Sequence, residues 1–301
     1  MPNSRPLIWL MVVASTFFWG SNFNAGHAIA GEVTALTAAA ERFAIALLGF
    51  LLIRLLQGKA ESQLQPRDIL VLLALGVVGV FGFNYAFFTA LHTTSALNAA
   101  LIMALSPMVS LLFSAWLLPV KIRGFQYLGI VIAFMGVSLV ITGGNFGLLH
   151  IAIGDAWMML ACLVWSLYSV GSKKFAGHVP PLQFARWTVC IGAVALIFAA
   201  LMIEDPLTTI PSLSLGTHII LVYMATFGAV FAYIFWLRGV YALGPERATI
   251  AFNLVPVFTL LVNLGMGTVP LPLQIVGMVL VLGGVLISSG WRPRYSRKVA
   301  S

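Results

Sequence analysis

Any chemistry in this sequence has to come from a sparse set of polar residues placed inside long apolar runs. Asn22, Asn84, Asn98, Asn253 and Asn263 lie in such runs, together with Tyr85, Tyr168 and Tyr233. An asparagine offers donors and an acceptor without a fixed charge, which suits a zwitterionic guest. The same atoms could instead tie helices together, for about 0.6 to 2 kcal/mol each. Trp19, Trp165 and Trp236 lie away from the run ends and could stack on an aromatic or apolar guest. Such a ring pair adds about 0.5–1.5 kcal/mol beyond burial, and plain packing would use the rings equally well. Trp9, Trp116 and Trp291 fall near run ends, where tryptophan anchors a span at the membrane interface.

Two prolines, Pro107 and Pro256, interrupt runs near their middles. In a helix each would free the carbonyl four residues back, that of Met103 or Phe252. Lipid cannot satisfy such a carbonyl, so it must face protein, water or a guest. One reading is a kink lining a pathway, with Met103 and Phe252 as acceptors; the other is a packing kink serviced by a neighbouring helix. The charges inside runs are Glu41, Arg42 and Arg186. Arg42 falls about 12 Å inside the end of its run, at about 1.5 Å per helical residue. It could recognise a carboxylate at a cavity mouth, or snorkel to the interface or pair with Glu41, although neighbouring helical positions point about 100° apart. Arg186 carries the same two readings.

Enzymatic chemistry finds little support. The sequence holds no HExxH pair, no acidic cluster for a metal, and no Walker or dinucleotide glycine loop. His27, His92, His150, His178 and His218 lie at loops or run ends without an evident nucleophile. Cys162 and Cys190 sit within apolar runs, where free cysteine acts as a small hydrophobe. No catalytic residue, metal or cofactor is expected.

The elements that position these residues follow from composition. Of 301 residues 61% are hydrophobic and 8% charged, with a mean hydropathy of +1.04. Soluble domains carry about 25% charged residues, so lipid is the expected solvent. Runs at 7–28, 34–56, 69–91, 95–118, 124–143, 154–173, 182–203, 216–238, 246–268 and 271–290 predict ten transmembrane helices, an all-α membrane protein. The first run is read as a retained helix, being long for a signal peptide. Placing the N-terminus in the cytoplasm puts Arg5, Arg54, Lys59, Arg67, Lys121, Arg123, Lys173, Lys174, Arg238, Arg247 and the basic tail 291–301 inside. The outer loops receive Glu32, Asp155, Glu204 and Asp205. Both termini are then cytoplasmic, in a bacterial inner membrane. The net charge of +8 is scattered between apolar runs, which excludes a nucleic-acid face.

The chain also repeats itself. Gly79, Ala99 and Pro107 recur as Gly228, Ala248 and Pro256, each 149 residues on. Gln126, Gly129 and Gly136 recur as Gln274, Gly277 and Gly284 at an offset of 148, and Trp19 as Trp165 at 146. Two five-helix units, 1–145 and 150–290, are expected. An odd number of helices makes the second unit enter the membrane from the opposite side, and such inverted repeats are a recurring architecture of secondary transporters. The repeated glycines are expected to pack helices closely.

Trp19-Gly20-Ser21-Asn22-Phe23 resembles the opening signature of the EamA branch of the drug/metabolite transporter superfamily. The stretch from Ala90 through Ala99 to Ser106-Pro107 resembles it too, as does its second copy from Gly239 through Ala248 to Val255-Pro256. The second half departs from the opening signature, since Trp165-Ser166-Leu167-Tyr168 lacks the Gly-Ser-Asn run. The finer resemblance is to YddG-type bacterial amino-acid exporters. It implies ten helices, a central cavity between the halves and export of aromatic and other neutral amino acids. The residues themselves supply the candidate substrate contacts, Trp19, Asn22, Tyr85, Asn98, Met103, Trp165, Tyr168, Tyr233, Trp236, Phe252 and Asn253. Few buried acids favour facilitated diffusion; proton-coupled efflux of a purine, sugar derivative or drug is the alternative, and an intramembrane enzyme a more distant one. The expected partners are a small solute and the bilayer, with the protein a monomer.

Overall fold

The computed structural model describes residues 5–57, 62–119, 121–142, 152–243 and 251–288. Lys59, His150, Arg247, Ala248, Trp291, the first residues of the expected span 246–268 and the tail 291–301 lie outside them. Among the described residues the structure is all helical, without strands. Helices are what a chain this apolar must form in lipid, because each backbone N–H then finds its acceptor within the same segment.

In chain order the elements are α1 (Arg5–Ile29), α2 (Ala35–Gln57), α3 (Pro66–Leu75), a π-helical turn (Gly76–Gly82) and α4 (Phe83–Leu91). Then come α5 (Ala96–Met103), α6 (Ser106–Leu117), α7 (Gly124–Thr142), α8 (Ile153–Ala176), α9 (Pro181–Ile203) and the short α10 (Pro206–Ser212). The chain continues through α11 (Leu215–Tyr223), a second π-helical stretch (Met224–Phe231), α12 (Ala232–Leu243), α13 (Val255–Gly265) and α14 (Pro272–Ser288). Among the described residues seven segments are long and apolar enough to cross a membrane: Arg5–Ile29, Ala35–Leu56, Pro66–Leu91, Ala96–Leu117, Ile153–Ala176, Pro181–Ile203 and Leu215–Val240. Three further apolar helices, Gly124–Val140, Val255–Gly265 and Pro272–Ser288, are shorter. They occupy the expected fifth, ninth and tenth spans. Leucines such as Leu52, Leu55 and Leu56 stand out from the bundle, Leu55 at 78% exposure, as side chains solvated by lipid would.

The two halves contact each other in matched ways. The first helix, α1, packs on α12 and α13, and its counterpart α8 packs on α4 and α6. The second helices of the halves, α2 and α9, pack on each other, as do α7 and α14. In that last pair Gly129 faces Gly284 and Gly136 faces Gly277, so the helices run antiparallel with backbones in direct contact.

The prolines do not bend a continuous helix. Ala104–Leu105 and Asn253–Leu254 form turns, and Pro107 and Pro256 enter the first turns of α6 and α13. There the missing N–H would have had no helical partner anyway. The turns are bridged by bonds from Leu105 N to Ile102 O at 3.1 Å and from Leu254 N to Ala251 O at 2.9 Å. The helices are therefore broken where a kink was expected, three residues before each proline.

The acid-bearing end of the bundle is tied together by carboxylates at helix starts. Glu204 accepts from Leu36 N at 3.2 Å, from Thr37 N and Oγ1 at 2.8 Å each, and from Thr34 Oγ1. Glu32 accepts from Ser214 Oγ at 3.0 Å and from Thr217 Oγ1, which hold its carboxyl below the ordinary range. Each acid so complements the positive end of a helix in the other half of the chain. At the basic end Asp68 meets His178 at 2.9 Å and Ser62 meets Gln183 at 2.7 Å.

Candidate functional site

The two helix breaks and the two π-helical turns meet around one cavity of about 170 Å³. Its walls bring together Trp19, Asn22 and Phe23 of α1, Arg42 and Phe43 of α2, and Asn84 and Phe87 of α4. Met103 and Ala104 come from the first break, Trp165 and Tyr168 from α8, Tyr233 from α12, and Phe252 and Pro256 from the second break. Of the bonds that bridge the breaks, none ends on the carbonyl of Met103 or Phe252.

Next to it lies a vestibule of about 580 Å³, lined by Pro107, Ser169, Ser172, Lys173 and Trp236 and reaching the basic end of the bundle. Trp19, Trp165, Tyr168, Tyr233 and Phe252 belong to both walls and form the septum between the spaces. Trp19 lies 5.2 Å from Trp236 and 5.5 Å from Phe252, and its Nε1 donates to Gly228 O at 3.1 Å. Trp165 lies 5.2 Å from Phe83 and 5.6 Å from Tyr168.

Towards the acidic end the space is shut. Phe23 and Phe87 meet at 5.3 Å, and His27 Nδ1 lies 3.1 Å from Leu91 O. The repeat offsets match Phe23 with Ser169 and Phe87 with Trp236, and those two line the vestibule. One end is closed and its counterpart open.

Tiny residues make room for the polar ones. Gly228, on the second π-helical stretch, faces Asn22, and Gly79, on the first, faces Tyr168; a Cβ at either glycine would overlap that side chain. Asn22 and Tyr168 occupy matching positions 146 residues apart, so the same device holds an amide in one half and a phenol in the other. The second half lacks the Gly-Ser-Asn run for a related reason. Gly20 lets α1 approach Val255 O, where a Cβ would come within 2.6 Å, whereas Ser166 at the matching position donates to Ser106 O at 3.1 Å. Gly228→Ala is expected to cost about 1–3 kcal/mol of stability by overpacking. Gly283→Ala, with no neighbour within 4 Å, should cost nothing. Unfolding midpoints of the two purified variants in mixed micelles check this, and equal midpoints would refute the tight fit.

The charged residues are placed differently from expectation. Arg42 stands at the cavity wall rather than at its mouth, 7% exposed. Its Nη1 donates to Asn84 Oδ1 at 3.2 Å and its guanidinium lies 5.3 Å from the Phe43 ring and 5.9 Å from Phe88. Glu41 turns away, meeting His218 Nδ1 at 2.6 Å, because the next helical position points about 100° round. Arg186 is not in either wall, although Ala185 beside it is. Tyr85 points one position round α4 from Asn84 and packs on Phe81 and Trp157. Asn98, in the first turn of α5, accepts from Gln274 at 2.9 Å. Asn253 lies in the second turn but not in the walls. Phe23, Phe43, Phe83 and Phe87 also line the wall. Phe23 enters the sequence reading only as the end of the Trp-Gly-Ser-Asn-Phe run, and the other three do not enter it; the spacing of Phe83 and Phe87 on one helix face is a signal for those two. Among the described residues no cluster of His, Cys, Asp and Glu is placed to hold a metal.

The profile of the EamA-like transporter family matches the chain twice, at residues 6–142 and 152–290. The chain belongs to the EamA-like transporter family. Among similar proteins is the transporter YyaM of Bacillus subtilis, 34% identical over 300 residues and covering 98% of each chain. A probable terminal-alkyne amino-acid exporter of Streptantibioticus cattleyicolor is 25% identical over 289 residues, covering 93% of this chain and 92% of the other. A crystal structure with 22% identity superposes with a TM-score of 0.67 over 95% of this chain and 97% of that one, which shows the shared fold. As an EamA-like family member the protein is a multi-pass membrane protein, and its relatives are transporters. The family match in each half also runs over the matching positions at the cavity: Asn22 and Tyr168, Gly79 and Gly228, Pro107 and Pro256.

Proposed function

We propose that this EamA-like protein exports small amphipathic metabolites, foremost aromatic and other neutral hydrophobic amino acids, by alternating access. The reading rests on one observation above the others: an aromatic-walled cavity holds a buried guanidinium and an unpartnered amide oxygen, on Arg42 and Asn22, and shares a wall with a vestibule towards the basic end. An apolar side chain finds rings to stack on. An α-carboxylate finds Arg42, and Asn22 offers polar atoms to the ammonium. The probable terminal-alkyne amino-acid exporter of Streptantibioticus cattleyicolor, a relative at 25% identity, supports an amino-acid substrate.

Ten crossings as two inverted five-helix units account for the matched contacts between halves and for the open and closed ends. The three shorter helices complete the set, and exchanging the conformations of related halves would open the acidic end and close the basic one. The distribution of lysine and arginine supports a cytoplasmic basic end, with both termini on the cytoplasmic side of the inner membrane. The vestibule then faces the cytoplasm, where amino acids to be exported are held. Transport runs by facilitated diffusion, since among the described residues the cavity walls contain no carboxylate to relay a proton.

Purified protein in liposomes should take up labelled phenylalanine by counterflow, saturably and equally with or without a protonophore. Movement of a purine or sugar derivative with none of phenylalanine or leucine would discard the amino-acid reading. A collapse with protonophore would discard facilitated diffusion.

A further inference from the structure

A buried arginine is ordinarily paired with a carboxylate, because an uncompensated charge in a low-dielectric interior is costly. Arg42 has no such partner among the described residues. Nη1 donates to the neutral amide of Asn84, the Phe43 and Phe88 rings lie nearby, and Nε is buried with no acceptor. The nearest acid in sequence, Glu41, is engaged by His218 in the other half. Asn84 is itself fixed: its Nδ2 donates to Val80 O, a carbonyl of the π-helical turn, at 2.8 Å, and this turns its oxygen towards Arg42. Position 84 is thus an amide where an isosteric aspartate would have completed an ion pair.

We propose that Asn84 is the residue that determines substrate charge: by orienting Arg42 without neutralising it, it leaves the cavity one counter-ion short, and the guest's carboxylate supplies it. The inference rests on the transport reading above and narrows its substrate class to solutes that present a carboxylate beside an apolar group, zwitterionic or anionic. Neutral amides and amines of the same shape are rejected, because they leave the guanidinium unpaired. Asn84 acts through Arg42 and is a positioning residue.

The test uses the full chain purified in detergent and thermal shifts with three probes of similar shape: 3-phenylpropionate, 3-phenylpropanamide and phenethylamine. The parental protein should bind the carboxylate about a hundredfold more tightly than the amide, the scale of losing one partner of a buried charge pair. Asn84→Asp supplies an internal counter-ion and should bring the ratio to about one, and Arg42→Met should do the same. A merely structural asparagine would lower stability in Asn84→Asp without moving the ratio. A parental ratio near one, including the case where no probe shifts the melting temperature, overturns the proposal. So does an Asn84→Asp variant that keeps the parental ratio. Should either variant fail to fold, the parental ratio alone decides. Phenylalanine counterflow is read separately: its absence with the carboxylate preference intact removes the amino-acid reading and leaves this one standing.

Discussion

Replacing Gly129 and Gly284 together by leucine should leave no folded protein, seen as loss of the monodisperse peak in size-exclusion chromatography. At the crossing of α7 and α14 a Cβ on Gly129 would come within 2.5 Å of Gly284 O and 2.6 Å of Ser288 N. A Cβ on Gly284 would come equally close to Gly129 O and to Ala133 N. These obstacles are backbone, so no rotamer change relieves them and the helices must separate. One helical turn pair further along, Gly136 and Gly277 meet in the same way, with Cβ positions at 2.7 and 2.8 Å from the facing carbonyls. Separation would also strain the bond from Gln126 Nε2 to Ser288 O at 3.0 Å. In lipid, where apolar surface gains nothing by leaving the solvent, close packing of this kind is what holds helices together. The single change Gly129→Ala should cost about 3 kcal/mol, at the upper end of overpacking. A parental unfolding midpoint for Gly129→Ala would show that the crossing is looser than described.

Those four glycines show what a sequence can disclose. Their recurrence at a constant offset marked both the repeat and the contact, because a close backbone approach admits almost no other residue. The apolar runs disclosed the helices in the same way, since span length is set by the bilayer and not by tertiary detail. The site was legible in part. Trp19, Asn22, Trp165, Tyr168 and Tyr233 stand in the cavity walls and Trp236 in the vestibule, each costly or conspicuous within an apolar run; Met103 and Phe252 stand in the walls too, marked by the prolines four residues on. Tyr85 and Asn98 are equally conspicuous and stand elsewhere. Residue type indicates that a polar atom needs a partner but not whether the partner is a guest or a neighbouring helix. The depth of Arg42 was hidden for a related reason. Distance along a helix gives height in the membrane, whereas the direction of its guanidinium depends on Asn84, and that in turn on the π-helical turn before it. A π-helical turn has no signature in residue spacing, although Gly79 and Gly228, one in each, were visible as a repeated pair.

The acidic end offers the second large effect. There α1 and α4 meet through Phe23 against Phe87 and through Gly26 against Leu91, where a Cβ on Gly26 would meet Leu91 Cδ1 at 2.6 Å, and in the proposed cycle this contact closes the pathway. Leu91 is fully buried and His27 bonds its carbonyl, so the seam has no slack on this side. Gly26→Phe should therefore act as a wedge that penalises the closed arrangement and not its open counterpart. An overpacking cost of about 1–3 kcal/mol falling on one state alone shifts the population by about five- to a hundredfold. The reporter is Ala100→Cys, a buried position in the cavity wall, in a background with Cys162→Ala and Cys190→Ala. A membrane-impermeant maleimide added outside cells should modify it slowly in the parental protein and about tenfold faster with the wedge. Transport should fall at the same time, because in the proposed cycle, with the acidic end outside, a carrier that cannot shut its outer side cannot return to the cytoplasmic one. Leu91→Ala added to the wedge should restore both rates towards parental values by removing the obstacle. An unchanged labelling rate with transport intact would mean that the seam between α1 and α4 does not separate during the cycle, and the exchange of open and closed ends between the halves would then need a different pair of helices.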